Sequence, residues 1–263
     1  MLRGNGSAAR FLSGKGSPSI ADGGNRAGER RKNIEISIYH LLEGAREARG
    51  LTVIIDVFRA FSLECYLYRM GASEVRPVGL LEEALSFRRK WEDCVLIGER
   101  HGSKCEGFDF GNSPSRITPE DVAGKIIIHT TSAGTQGIVN AAYADELLTG
   151  SLVNAKAIAQ YILKRQPEQV SLVCMGNSGT RPAAEDELCA EYIKSLLLGQ
   201  EMPDIEERIA DLQFHGGEHF FDPEKQEAFP QPDFWLCIRK NQFPFVLLVE
   251  KDEHGFISRL HPV

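Results

Sequence analysis

Long apolar runs are missing from this chain. None of its hydrophobic segments approaches the roughly 20 residues that a membrane-spanning helix needs, so no membrane partner is expected. Positive charge is short as well: 30 Lys and Arg stand against 37 Asp and Glu, a net charge of −7. That balance argues against a general nucleic-acid binder. The six cysteines, at 65, 94, 105, 174, 189 and 237, form no C-x-x-C pair, which excludes the zinc-ribbon and thioredoxin spacings. Several lie in apolar strand or helix contexts, as suits a reduced, cytoplasmic protein. Two phosphate-binding signatures are also wanting. There is no G-x-x-x-x-G-K-[ST], and no G-x-G-x-x-G opens a first strand–helix turn, which weakens the reading as a nucleotide-binding enzyme of the doubly wound type.

What is present fits a globular protein of 263 residues with 42% hydrophobic residues, ample for a sizeable core. Residues 1–33 are rich in Gly, Ser and Arg and carry no hydrophobic period, so they are expected to form a disordered extension. From residue 34 to 263 short apolar runs alternate with helical patterns in a single domain. Strands are expected over 34–39, 51–57, 74–78, 94–97, 125–129, 146–148 and 169–175. Helices are expected over 61–70, 80–91, 134–144, 154–165, 185–198, 204–212 and 233–240, with a short one at Pro119. Two last strands, 245–250 and 256–260, read as a closing antiparallel hairpin. Strand–helix alternation predicts an α/β fold with a largely parallel sheet, made mixed by the hairpin, and helices on both faces.

Four polar, glycine-bearing segments begin where expected strands end: 56–59, 99–114, 130–135 and 176–186. In open α/β sheets ligands bind outside the carboxyl ends of the strands. If the strands run parallel, the four segments share one edge and make one site. The segment 99–114 is a long loop with Glu99, Arg100, Asp109, Asn112 and Ser113, groups that can hold a cation and an anion. The run Thr130, Thr131, Ser132, Ala133, Gly134, Thr135 places hydroxyls before a helix, where it serves either as an anion cradle or as an ordinary cap. Asp56 follows Val53, Ile54 and Ile55, and a carboxylate at the end of a buried strand is costly unless paired or bound to a metal. Arg59, three residues on, would either pair with Asp56 or face an anionic substrate. Arg181 is a further anion contact, and Glu185 and Asp186 open the next helix. Carboxylates from several loops suit Mg²⁺, which prefers oxygen ligands and works beside phosphates. Cys174, without a histidine partner evident in the sequence, reads as an inert buried thiol.

The segments VIIDVFRAF at 53–61, GERHGSKCEGFDFGNSP at 98–114, HTTSAGTQGI at 129–138, TGSLVNAKAIA at 149–159 and VCMGNSGTRPAAEDELCAEYI at 173–193 resemble the 2-phosphosulfolactate phosphatase (ComB-like) family. The C-terminal FWLCIRKNQFPFVLLVE is similar to that family's end, so the resemblance spans roughly 34–263. One departure is Ser132-Ala133, where members often show Thr-Asn. The resemblance implies a three-layer α/β/α fold and a Mg²⁺-dependent phosphatase. The implied reaction releases phosphate from 2-phospho-3-sulfolactate, giving 3-sulfolactate on the route to coenzyme M. On this reading Asp56, Arg59 and Glu99 are catalytic. Arg100, Asn112, Ser113, Thr130, Thr131, Ser132, Gly134, Thr135 and Arg181 bind the substrate, a small anionic phosphoester. Asp56, Glu99, Asp109, Glu185 and Asp186 supply the metal ligands. A homo-oligomer is compatible with this reading. The alternative is a non-catalytic binder of anionic metabolites on the same scaffold.

Overall fold

Strand β2 (Gly50–Ile55) shows how the sheet is built. Leu51, Val53 and Ile55 face one side and Thr52 and Ile54 the other, and all five are buried. A strand apolar on both faces needs a layer of helices on each. The computed structural model describes residues 34–263, so the extension expected over 1–33 lies outside the described residues.

The chain runs β1 (Glu35–His40), α1 (Leu41–Glu47), β2, α2 (Ala60–Arg69), β3 (Glu74–Pro77), α3 (Leu81–Lys90), β4 (Val95–Arg100), β5 (Ser103–Lys104) and α4 (Pro119–Val122). It continues with β6 (Ile126–Thr130), α5 (Gly134–Asn140), β7 (Ala144–Gly150), α6 (Ala155–Arg165), β8 (Gln169–Cys174) and α7 (Ala184–Leu198). Last come α8 (Ile205–Asp211), α9 (Gln231–Cys237), β9 (Phe245–Asp252) and β10 (Gly255–Pro262). The expected elements are all there. Helix α1 was not foreseen, because the seven residues LLEGARE are too few to show a helical period. The loop after residue 97 is more ordered than expected: β4 runs on to Arg100 and folds back on β5.

Ten strands share one sheet in the order β1-β8-β2-β7-β9-β10-β3-β6-β4-β5. Strands β1, β8, β2 and β7 are mutually parallel, as are β3, β6 and β4. The closing hairpin sits between these blocks, with β9 antiparallel to β7 and β10 antiparallel to β3. Three antiparallel steps reverse the sense, so the second block runs opposite to the first. The single parallel edge expected from the sequence is therefore not how the site is made. Neighbouring strands rotate by roughly 20–25°, so about 100–125° accumulates over the five steps from β2 to β6. That twist swings the carboxyl ends of β4 and β6 back towards those of β2 and β8.

Helices cover both faces. Val53, Ile55 and Leu172 pack with Ile158 of α6 and Ile193 of α7, while Ile54 and Val173 pack with Ala45 of α1 and Ile138 of α5. In the second block Ile97 and Ile127 meet Leu63 and Leu67 of α2, and Leu96 and Ile128 meet Ala84 and Phe87 of α3. Each Val, Leu, Ile or Phe among them contributes about 1.5–3 kcal/mol by leaving water.

Candidate active site

The ends of β2, β4, β6 and β8 open onto a cavity of ≈ 710 Å³. Four carboxylates line it: Asp56 after β2, Glu99 near the end of β4, and Glu185 and Asp186 in the first turn of α7. All four are buried. Asp186 is held by two backbone amides, Val57 N–H to Oδ1 and Gly176 N–H to Oδ2, both at 2.8 Å. Those bonds tie the first turn of α7 to the ends of β2 and β8. Glu99 accepts from Ser132 N–H (2.6 Å) and Gly102 N–H (2.7 Å), which joins the β4 loop to the loop before α5. Glu185 Oε2 is buried with no hydrogen-bond partner among the described residues.

Four buried acids at one point repel one another. Burial, and then the Glu99 charge, pushes Asp56 up to about 7. Burial and the Asp56 charge push Glu185 up to about 8. Asp186 is driven well above the carboxylate range by burial and by Asp56 and Glu185. A cavity lined by such groups is short of positive charge at its centre. Its other walls carry cations. Arg59, Arg181 and Lys225 line it, with His101 and His219. Burial, then the Arg59 charge, lowers His219 to about 4, so this ring stays neutral.

Arg59 does not pair with Asp56. Its Nη1 donates to Asp233 Oδ2 at 3.1 Å and to the Ala228 carbonyl at 2.8 Å, and its guanidinium lies 4.9 Å from the centre of the Phe229 ring. Asp233 also accepts from Ser113 Oγ and Ser115 N–H, both at 2.9 Å. Gly134 sits where nothing larger fits: a Cβ there would lie 2.9 Å from both Asp56 Oδ2 and Ala60 Cβ.

Comparison with known proteins decides the family. The family model described as 2-phosphosulpholactate phosphatase matches residues 36–220. The chain belongs to the 2-phosphosulfolactate phosphatase family. It is 31% identical over 222 residues to a "Probable 2-phosphosulfolactate phosphatase" of Bacillus subtilis, covering 83% of this chain and 95% of that one. Proteins of the same description from Caldanaerobacter subterraneus and Caldicellulosiruptor saccharolyticus are 42% and 37% identical. Those two matches span 48% and 58% of this chain and 53% and 64% of the relatives.

Within this family member the cavity gathers Asp56, Arg59, Glu99, Asn112, Ser132, Arg181, Glu185 and Asp186 of the residues singled out in the sequence. Others are placed elsewhere. Asp109 does not line the cavity; it accepts from the Leu96 N–H at 2.8 Å and pairs with Arg88. Thr131 and Thr135 bind each other, Thr131 N–H to Thr135 Oγ1 at 2.8 Å and Thr135 N–H to Thr131 Oγ1 at 3.1 Å, which braces the loop before α5. Thr130 Oγ1 accepts from Arg100 at 2.9 Å, and Arg100 lines a shallower recess beside the cavity. Ser113 is spent on Asp233. The sequence reading missed Asp233, and with it the wall made by Gly216, His219, Lys225 and Phe229. Of the neighbouring His215 and His219, only His219 lines the cavity.

Proposed function

We propose that this protein is a Mg²⁺-dependent phosphomonoesterase acting on 2-phospho-3-sulfolactate or a closely similar small 2-phospho acid. One observation carries the reading: a single cavity faces four buried carboxylates with a wall of cations. The donor set is oxygen-only and includes the unpartnered Glu185 Oε2, which fits a hard divalent cation. Asp56, Glu185 and Asp186 would hold the ion, with Glu99 facing it. Bound there, the ion supplies Lewis-acid polarisation of the phosphoryl oxygens and lowers the pKa of a coordinated water.

The chain's own groups do the rest. Arg181 and Lys225 meet the anionic ends of the substrate. Arg59, fixed by Asp233 and Phe229, sets the shape of the wall behind it. Asp56, pushed up to about 7 by burial and Glu99 while no ion is bound, would give up its proton to hold the ion. Asn112 and Ser132 offer hydrogen bonds at the cavity wall.

The test is phosphate release from a panel of 2-phospho acids, 2-phospho-3-sulfolactate among them, with Mg²⁺, with Mn²⁺ and after EDTA. Turnover restored by Mg²⁺ and lost with EDTA is expected. Full turnover in metal-stripped enzyme refutes the metal mechanism, and tight binding of the panel without phosphate release makes the chain an anion binder.

A further inference from the structure

Strands β1 and β8 pair in parallel with His40 opposite Cys174, so the last residues of two neighbouring strands lie side by side. Glu187, in the first turn of α7, reaches the same point. We propose that His40, Cys174 and Glu187 form a binding site for a borderline divalent cation of the zinc type, separate from the acidic cavity.

The geometry carries this. His40 Nδ1 and Glu187 Oε1 are 2.8 Å apart, and one imidazole nitrogen, one Glu187 carboxylate oxygen and Cys174 Sγ all lie within 4.8 Å of one another. One ion can then sit within about 2.8 Å of all three, roughly half to three-quarters of an ångström beyond the roughly 2.0–2.3 Å of zinc bonds to nitrogen, oxygen and sulfur. A small rotation of the two outer side chains closes that gap. Both are free to make it, since the His40 side chain is 50% exposed and that of Glu187 32%. The sulfur forms the buried floor and the other two ligands the open rim, which leaves a fourth position for water.

The donor chemistry sets this site apart from the cavity. One nitrogen, one sulfur and one oxygen make a set that takes zinc or cobalt and that Mg²⁺ disfavours. Thiolate and carboxylate together carry two negative charges, which a dication balances. On binding, the thiol proton leaves to solvent, and the hydrogen that Nδ1 donates to Glu187 is lost from Nδ1 while one is taken up from water at Nε2, which frees the Nδ1 lone pair for the ion. No other bond changes. Loading the site ties α7 to the ends of β1 and β8 one residue beyond Asp186.

Cobalt(II) titration of the full chain, with Mg²⁺ in excess to occupy the acidic cavity, tests the proposal. A thiolate-to-cobalt charge-transfer band in the near ultraviolet is expected, saturating at one equivalent and abolished by zinc. His40→Ala and Glu187→Gln, at solvent-facing rim positions that leave the fold alone, should each lose the band, as should Cys174→Ser. No band in the natural chain overturns the proposal. So does a band that survives both His40→Ala and Glu187→Gln, because it then belongs to another of the buried cysteines.

Discussion

Arg59 and Asp233 are 174 positions apart and meet as a buried ion pair at 3.1 Å, Arg59 on the turn after β2 and Asp233 on α9. The pair ties the segment after residue 220 to the turn that carries Asp56, and so closes one wall of the cavity. Removing one partner of a buried pair leaves the other charged and uncompensated. Asp233→Ala should lower the unfolding free energy by about 3–5 kcal/mol, read by urea denaturation. A loss below about 1 kcal/mol would show that solvent reaches Arg59 in the variant.

Asp56→Asn keeps the side chain's shape and removes its charge. Turnover and Mg²⁺ affinity should fall together, because the ion loses one of its charged ligands. The melting temperature should hold or rise, since a like charge leaves the cluster with Glu99, Glu185 and Asp186. Near wild-type turnover in the folded variant would remove Asp56 from the mechanism.

The raised carboxyls make stability depend on pH. Asp56 and Glu185 keep their protons up to about 7 and about 8 in the folded state, while in the unfolded chain they lose them in the ordinary carboxylate range. The stability they give is full below that range and is lost as pH rises through the folded values. His219, lowered to about 4, works the other way as pH falls below its ordinary value, but it is one group against three. The metal-free protein should therefore melt at a higher temperature near pH 6 than near pH 8.5, on the order of the shifts above. Glu185→Gln should flatten the difference, and so should saturating Mg²⁺. A melting temperature that rises over that window would contradict the charge clustering.

Gly134→Ala brings a methyl to 2.9 Å from Asp56 Oδ2 and from Ala60 Cβ. Neither neighbour can retreat, because Asp56 and Ala60 are both buried. Overpacking of this kind costs about 1–3 kcal/mol, and it displaces Asp56, so turnover and stability should fall together. Measuring kcat beside thermal stability separates this from a general loss of fold, since turnover should drop under conditions where the variant is still folded.

Asp109→Asn tests the placement of the one expected metal ligand that does not reach the cavity. Its carboxylate serves Arg88 and the Leu96 amide, and both side chains of the pair are over a third exposed or close to it. An ion pair so placed is worth about 0–1 kcal/mol. The variant should keep its turnover and its response to Mg²⁺. A weakened Mg²⁺ response would mean that Asp109 swings into the site.

The helices and strands were legible in the residues because their patterns are local. Val53, Ile54 and Ile55 form an apolar run with a carboxylate at its end, and Glu185 and Asp186 open a helix after a glycine-bearing loop. The residue types at strand ends are written in order along the chain, so Asp56, Glu99, Glu185 and Asp186 could be named before any geometry. Their meeting could not be derived from order alone. The β9–β10 hairpin closes the sheet from the inside and reverses one block of strands, pairing Ser258 with the distant Val75 and Val249 with Leu147. Nothing local marks it, since a hairpin's own pattern says which two strands pair and not where the pair is inserted. The hydroxyls of Thr131 and Thr135 read equally as a ligand cradle or a cap, and only the structure shows that the two residues bond to each other. Asp233 sits in a helical stretch with no nearby partner, and its task is set by a guanidinium brought to it through the packing of α9. Local chemistry follows from adjacent residues; partners across the fold follow from burial, which selects whichever distant group can satisfy a charge withdrawn from water.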